Sequence, residues 1–156
     1  MTDVRVATAD DRAAIATLRR TWTEENAGHP VDDPTFEERF AAWFEREHDQ
    51  RVTWLAYAGG EPVGMLNLLV FTRMPFPLDD DTARPTQWGY LANCFVVASH
   101  RDRGVGERLV AACTAHGDEH GFARIVLSPT ERSVPFYARA GFAPATSLMV
   151  RSAPAT

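Results

Sequence analysis

The stretch VVASHRDRGVGERLV, residues 96–110, decides the fold, because it ends an apolar run, inserts two closely spaced glycines and then begins a helical pattern. Gly104 and Gly106 cost backbone entropy wherever they lie, so their presence calls for a reason. One explanation is a strand-to-helix turn that needs unusual dihedral angles. The other is an anion bound by the unpaired amides of the first helical turn, with positive charge from Arg101 and Arg103 nearby.

Three well-known motifs do not fit these residues. The triplet His100-Arg101-Asp102 is like the start of a kinase catalytic loop, but glycine follows where further loop residues belong. A Walker A loop requires a lysine, and all 16 basic residues of this chain are arginine. A dinucleotide-binding fingerprint requires a third glycine at the position of Leu109. A pyrophosphate cradle and a plain structural turn both remain open.

Hydrophobic periodicity, followed outward from this turn, predicts a mixed α/β protein with the element order β-α-α-β-β-β-α-β-α-β. The second half contains a strand, glycine turn, helix and strand that form a parallel crossover unit. An apolar stripe over residues 36–44 is typical of a helix face packed in the core. We expect one domain over residues 1–150 and a flexible tail at 151–156. The predicted segments after the first two helices are strands at 52–58, 62–71 and 88–98, a long loop at 72–87, a helix from 105 to about 120, a strand at 123–128, a short helix closed by Gly141 and a last strand at 142–150.

Composition excludes several classes of protein. The net charge of −5 argues against a general nucleic-acid surface or an anionic membrane surface. No apolar run is long enough to span a membrane, and the acidic start of the chain does not match a signal peptide, so we expect a cytoplasmic protein. Cys94 and Cys113 have no metal-ligand spacing and lie in apolar segments, which favours buried free thiols and predicts no metal.

A second motif, SPTERSVPFYARAGF at residues 128–142, begins about one helix and one strand after the glycine turn. Its aromatic residues could simply pack beneath a short helix. Together, however, the two segments resemble the GNAT superfamily of N-acetyltransferases. That family has the pattern Arg/Gln-x-x-Gly-x-Gly/Ala, here residues 101–106, followed by an aromatic-Tyr-x-x-x-Gly-Phe pattern, here residues 136–142. The resemblance covers about residues 88–142.

The resemblance implies an acyl-CoA acyltransferase fold in which two central parallel strands diverge and acetyl-CoA binds between them as co-substrate. It also implies that Tyr137 protonates the leaving thiolate, a role that suits a phenol with an ordinary pKa of about 10. Many members have an asparagine seven residues before this tyrosine, where this chain has Thr130. The residues implied to bind the co-substrate are Cys94, Phe95, Val96, Ala98, Arg101, Arg103, Gly104, Val105, Gly106, Glu107 and Thr130.

For the acetyl acceptor we favour the amine of a small molecule, because the long loop at 72–87 could block an extended peptide and a glutamate base is missing. Some protein-modifying members have a glutamate base on the strand that here contains Ile125, so the base must come from elsewhere or from solvent. The candidates are Glu24, Glu25, His48 and Asp80 with its neighbours at 79 and 81, and such acids would favour a cationic amine. A protein or peptide acceptor and a non-catalytic acyl-CoA sensor remain alternatives. The sequence does not determine the oligomeric state, and a homodimer is one possibility.

Overall fold

The computed structural model describes residues 1–78 and 84–155, so Asp80 and its acidic neighbours at 79 and 81 lie outside the described residues. Those residues form one mixed sheet with helices on both faces, which confirms the predicted fold class. The strands are β1 (Thr2–Val6), β2 (Arg51–Ala58), β3 (Glu61–Thr72), β4 (Gln87–Val96) and β5 (Ile125–Leu127), and the helices are α1 (Arg12–Ala27), α2 (Phe36–Glu47), α3 (Val105–Glu119) and α4 (Val134–Arg139).

The five strands lie in chain order across the sheet, and only β4 and β5 run parallel. This parallel pair results from the glycine turn, since α3 carries the chain back across one face before β5 begins. Pairing of β4 with β5 extends only from Gly89–Ile125 to Leu91–Leu127. Residues 92–96 of β4 therefore have no strand beside them on that edge among the described residues. The predicted divergence of the two central strands is present at this point.

Two apolar clusters divide the core between the faces of the sheet. Val105, Leu109 and Cys113 of α3 pack with Leu66 and Leu91 on one face. Ile15 and Leu18 of α1 pack with Phe44, Leu55, Met65 and Phe95 on the other. Alternation along a strand directs neighbouring side chains to opposite faces, so consecutive residues of β4 face α3 and α1 in turn.

A β-bulge in β4 changes that alternation at one point. Asn93 pairs with Asn67 of β3, but the next pair is Leu91 with Leu68, so Ala92 is the extra residue. Because of this insertion, Leu91 and Cys94 both pack in the cluster beneath α3, although three positions separate them. Asn93 is consequently placed on the face covered by α1 and α2.

The start of α1 is held against the sheet by the buried carboxylate of Asp11. It accepts two hydrogen bonds from Arg5 of β1, at 2.8 and 2.7 Å, and one of 3.0 Å from the Tyr57 hydroxyl of β2. The backbone amide of Thr8 donates another at 2.8 Å. The Arg5 guanidinium and these other donors hold the pKa of Asp11 well below its usual range, although burial opposes the shift.

The structure corrects the last predicted element, because residues 142–150 do not form a strand. The strand beside which they would pair, β5, contains only three residues, and Pro144 has no amide hydrogen to donate. Phe142 packs against the core, but the apolar side chains at the end of the segment are exposed, with Met149 fully exposed and Val150 90% exposed. Alternation in the sequence therefore did not correspond to burial on a sheet.

Candidate active site

An open cleft of about 470 Å³ lies where β4 and β5 diverge. The unpaired end of β4 forms one wall, the first turn of α3 forms the floor, and the turn before α4 together with α4 closes the other side. Ten of the predicted co-substrate and catalytic residues line this cleft: Cys94, Phe95, Val96, Arg101, Gly104, Val105, Gly106, Glu107, Thr130 and Tyr137. Ala98 and Arg103 were also predicted but do not line it, and both are exposed. The cleft also includes Arg132 and Arg139, which sequence reasoning missed.

The first turn of α3 presents its backbone amides to the cleft. Gly104 precedes the helix with φ of 74°, and Asp102 also has a positive φ of 56°. Such left-handed residues bend the chain sharply enough for the helix to begin directly after the turn. The amide of Arg108 bonds to the Gly104 carbonyl at 3.1 Å, but no acceptor in the described ranges takes a hydrogen bond from the amides of residues 103–107. These donors can therefore bind an anion.

Gly106 allows close packing of the first turn of α3 against its neighbours. A Cβ atom at this position would lie 3.3 Å from Cζ of Phe136 on α4 and 3.9 Å from Cγ2 of Val96. The glycine thus brings α3, α4 and the end of β4 together around the amides. Gly104 therefore supplies the backbone conformation that a strand-to-helix turn needs, and Gly106 allows the close approach of Phe136, whereas anion binding by this turn stays a prediction.

Arg101 is directed toward the protein rather than outward from the turn. Its Nε donates a hydrogen bond of 2.9 Å to the carbonyl oxygen of Val96, and its guanidinium also pairs with the Glu25 carboxylate near the end of α1. The same guanidinium lies 5.7 Å from the ring centre of Phe95. Arg101 therefore joins the end of β4 to α1 and forms the rim of the cleft.

The backbone of β4 alternates between its two edges. The Val97 amide donates to the Val63 carbonyl of β3 at 2.9 Å, so the backbone groups of Val96 and Cys94 face the open edge. Arg101 already occupies the Val96 carbonyl. The Cys94 backbone and the Val96 amide remain at the edge, where an extended ligand can add to the sheet or an oxyanion can accept a hydrogen bond.

Tyr137 lies across the cleft from this edge, on α4. Its ring contacts Phe136 and Phe142, with centroid separations of 5.0 and 5.8 Å. Burial raises the pKa of Tyr137 above its usual value, and the neighbouring Cys94 raises it further. Burial likewise raises the pKa of Cys94 to about 11, although the Tyr137 hydroxyl partly offsets this effect. Both groups are protonated at neutral pH, so Tyr137 is available as a proton donor.

Thr130, where many family members have asparagine, organises the turn that leads into α4. Its hydroxyl donates to the Ser133 oxygen at 3.0 Å, and the Ser133 hydroxyl donates to the Thr130 carbonyl at 2.9 Å. The Thr130 hydroxyl oxygen retains acceptor capacity toward the cleft, but its proton is directed to Ser133.

The three acceptor-side candidates that the structure describes, Glu24, Glu25 and His48, do not share one pocket. Glu24 accepts a 3.1 Å hydrogen bond from the Val31 amide and lies 3.8 Å from Arg20, while Glu25 pairs with Arg101 at the cleft rim. His48 stacks on Phe44 at 5.3 Å and lines a separate cavity of about 90 Å³. Asp80 is outside the described residues, so the structure gives no test of its role.

A second pocket, the α1–α2 pocket, lies on the opposite face of β4 and was missed from the sequence. It has a volume of about 370 Å³, and the residues lining it are Ile15, Arg19, Phe36, Arg39, Phe40, Trp43, Met65, Asn67 and Asn93. Of the aromatic stripe that we predicted to be core, only Phe44 is buried, at 8% exposure. Phe36, Phe40 and Trp43 are half-buried and form the pocket wall.

Among residues 1–78 and 84–155, no group of three or more His, Cys, Asp or Glu side chains is arranged to hold a metal ion. No helix in the described part of the chain is long and apolar enough to cross a membrane.

Comparison with known proteins places this arrangement in a class. The family model described as the acetyltransferase (GNAT) family matches residues 13–142. The chain therefore belongs to the GNAT acetyltransferase family, which confirms the resemblance found in the two motifs. No curated protein sequence matches the chain.

Solved structures with the same fold cover almost the whole chain. A GCN5-related N-acetyltransferase from Ralstonia eutropha is 28% identical over 97% of this chain and 99% of its own, with a TM-score of 0.71. A protein from Clostridium acetobutylicum, described as a predicted acetyltransferase and solved with acetyl-CoA, is 16% identical over 97% and 96%, with a TM-score of 0.73. Glucosamine-6-phosphate N-acetyltransferase from Arabidopsis thaliana is 15% identical over 97% and 98%, with a TM-score of 0.71.

Proposed function

We propose that this protein transfers the acetyl group of acetyl-CoA to the amine of a small molecule in the cytoplasm, with Tyr137 as the general acid. The observation that carries this proposal is that one cleft contains unpaired amides at the start of α3 and the hydroxyl of Tyr137. The same cavity thus contains the groups that would bind a diphosphate and protonate a thiolate. The Clostridium relative, whose structure contains acetyl-CoA, supports the choice of co-substrate.

The residues of the cleft fit acetyl-CoA. The amides of residues 103–107 have no protein acceptor in the described ranges, and Gly106 leaves no Cβ between the helix start and its neighbours. A diphosphate would be held by these amides and by the positive end of the α3 dipole. The backbone of Cys94 and Val96, at the open edge of β4, would hold the extended arm. When bound, acetyl-CoA supplies the acetyl group as a reactive thioester.

The chain's own groups account for the proton and charge changes of the transfer. As the amine nitrogen bonds to the carbonyl carbon, a backbone amide of β4 stabilises the charge that develops on the carbonyl oxygen. As the carbon–sulfur bond breaks, the Tyr137 hydroxyl gives its proton to the sulfur. The amine nitrogen loses its extra proton to solvent or to a base on the acceptor side. The raised pKa keeps Tyr137 protonated across the neutral range.

The test is release of free CoA thiol from acetyl-CoA with a panel of amines, together with calorimetric titration of CoA. We expect CoA binding and amine-dependent thiol release. CoA binding without turnover of any amine would instead support the acyl-CoA sensor. The absence of both would contradict the proposal as a whole.

A further inference from the structure

The α1–α2 pocket has a wall of aromatic rings that the protein core does not cover. Phe40 contacts Phe36 at a centroid distance of 5.8 Å and Trp43 at 5.4 Å. Met65, 2% exposed, forms the base on β3. A pocket of about 370 Å³ is within the size range of small-molecule sites. Its walls favour a ligand with an apolar body.

The charges of this pocket are unbalanced. Arg39 is neutralised by its ion pair with Asp33. Arg19 has no carboxylate partner among the described residues, and its guanidinium lies over the Trp22 ring at 5.0 Å from the centroid. None of the described residues that line the pocket is Asp or Glu. Within the described part of the chain, the pocket therefore carries one uncompensated positive charge, held in place by an aromatic ring, and no carboxylate that attracts a polycation.

Of the two asparagine side chains in the pocket, one is available to a ligand. The Asn67 amide is used within the protein, since its oxygen accepts from Arg51 at 2.8 Å and its nitrogen donates to the Thr53 hydroxyl at 2.8 Å. Asn93 has no such bond among the described residues and lines the same pocket. Its neighbour in sequence, Cys94, lines the cleft that contains Tyr137. Asn93 and Cys94 thus place the two pockets on the two faces of the same stretch of β4, next to the open edge of that strand.

The wall formed by α2 is fixed by contacts of Arg20. This side chain donates to the carbonyl oxygens of Val31 and Asp33, both at 2.9 Å, and its Nε donates to Glu37 at 2.9 Å. The connection between α1 and α2 is thereby tied to α1. A ligand consequently does not have to pay the full ordering cost of this wall on binding.

We propose that the acetyl acceptor is an amine that carries a carboxylate on an apolar body, such as an α-amino acid with an aromatic or large aliphatic side chain. Arg19 binds the carboxylate, the aromatic wall holds the body, and Asn93 directs the amine toward β4. A single free guanidinium matches a singly charged carboxylate in a two-bond geometry, whereas a phosphate dianion calls for more positive charge than this pocket offers. This inference rests on the proposed acetyl transfer, and it replaces a cationic acceptor with an amphiphilic anionic one.

The experiment compares L-phenylalanine, L-phenylalaninamide and spermidine as acceptors by CoA thiol release. We expect kcat/KM for phenylalanine to exceed that for its amide by on the order of tenfold, the value of one charged hydrogen-bond pair. The amide's amine is the less basic and so is more abundant in its reactive form, which biases the comparison against this result. Equal or faster turnover of the amide or of spermidine would overturn the inference. Turnover of the aminophosphonic analogue equal to that of phenylalanine would also overturn it, because the pocket would then accept a phosphonate as readily as a carboxylate.

The variant Arg19→Gln tests whether Arg19 itself binds the carboxylate. We expect this variant to lower kcat/KM for phenylalanine on the order of tenfold. The kcat/KM for phenylalaninamide should change by no more than about twofold. The matched control is Arg12→Gln, since Arg12 lies on the same helix, pairs with Glu45 and does not line the pocket. Equal losses for both acceptors in Arg19→Gln would overturn the proposal.

A binding measurement separates this inference from the proposed function. If no amine is acetylated, acetyl transfer itself fails, and the melting temperature of the protein with CoA then tests the pocket directly. We expect L-phenylalanine to raise the melting temperature more than its amide does, and Arg19→Gln to abolish the difference. Equal shifts for the two compounds would overturn the inference.

Discussion

The Nε atom of Arg101 donates a 2.9 Å hydrogen bond to the carbonyl oxygen of Val96, which closes one backbone acceptor at the open edge of β4. Through its other nitrogen the same guanidinium pairs with Glu25 on α1. The first arginine of the glycine motif thus positions the strand that would receive the co-substrate.

This relationship predicts the effect of Arg101→Met. We expect the KM for acetyl-CoA to rise by roughly three- to tenfold, because the freed carbonyl and the loosened end of β4 no longer present a fixed edge. The control is Glu25→Gln, which removes the charge pair but leaves the hydrogen bond to Val96. If the two variants raise the KM equally, the ion pair with α1 determines the effect rather than the hydrogen bond to β4.

The position of Tyr137 predicts a selective loss of turnover. Tyr137→Phe removes the proton donor while keeping the ring contacts with Phe136 and Phe142, so we expect kcat to fall by roughly 10- to 10⁴-fold. CoA affinity by calorimetry should change by no more than about twofold, because the ring remains. Tyr90→Phe, on β4 outside the cleft, is the matched control. Unaltered kcat in Tyr137→Phe would remove the general-acid role.

The left-handed conformation of Gly104 predicts a difference between two otherwise similar variants. Gly104→Ala and Gly121→Ala both place a side chain at positive φ, 74° and 64°, so each should lose about 1–2 kcal/mol of stability. Only Gly104 directs the amides of α3 toward the cleft. We therefore expect the Kd for CoA to rise on the order of tenfold in Gly104→Ala and to stay unchanged in Gly121→Ala. If calorimetry gives the same Kd for CoA in both variants, Gly104 has a purely structural role.

The hydrogen bonds to Asp11 predict acid sensitivity. Its folded-state pKa lies below the unfolded value near 4, so its contribution is complete above pH 5 and is lost as pH falls through the folded-state pKa. We expect Asp11→Asn to lower the free energy of unfolding by about 1–3 kcal/mol at pH 7 and to flatten the decline below pH 4. Urea denaturation across this pH range measures both effects. Asp10→Asn, an exposed neighbour, should reproduce neither.

The raised pKa values of the two thiols predict low reactivity. Burial raises the pKa of Cys94 to about 11 and that of Cys113 to about 12. Since the thiolate is the reactive form, iodoacetamide should modify both residues much more slowly at pH 7.5 than it modifies a free thiol. Mass spectrometry after timed quenching follows each cysteine separately. Rapid modification of Cys94 would instead indicate a nucleophile beside the thioester.

Much of the fold could be predicted because its signals are local. The two glycines, the apolar run before them and the helical pattern after them specify a turn and a crossover without knowledge of distant residues. The last strand could not be predicted correctly, since its formation depends on a neighbouring edge that β5, with three residues, is too short to provide. Periodicity identifies the side chains that share one face of a strand. It does not reveal how long the neighbouring strand is.

The candidate site was predictable only in part, for a related reason. The motif indicated that Arg101 lies at the turn, but its direction depends on Glu25, 76 positions away in sequence. The aromatic stripe of α2 was correctly placed on one helix face, yet periodicity does not reveal whether the space beneath that face is filled. Phe36, Phe40 and Trp43 line an open pocket for this reason.

Beyond the bulge at Ala92, the single strand β4 lines two compartments that are built from different parts of the chain. Most of the α1–α2 pocket comes from residues 15–43, whereas the opposite cleft is formed mainly by residues 94–139. Under the proposed function, recognition of the acceptor and capture of the acyl donor depend largely on two separate segments of the chain. A chimera that exchanges only the first two helices with a homologue should acquire new acceptor selectivity while keeping its donor.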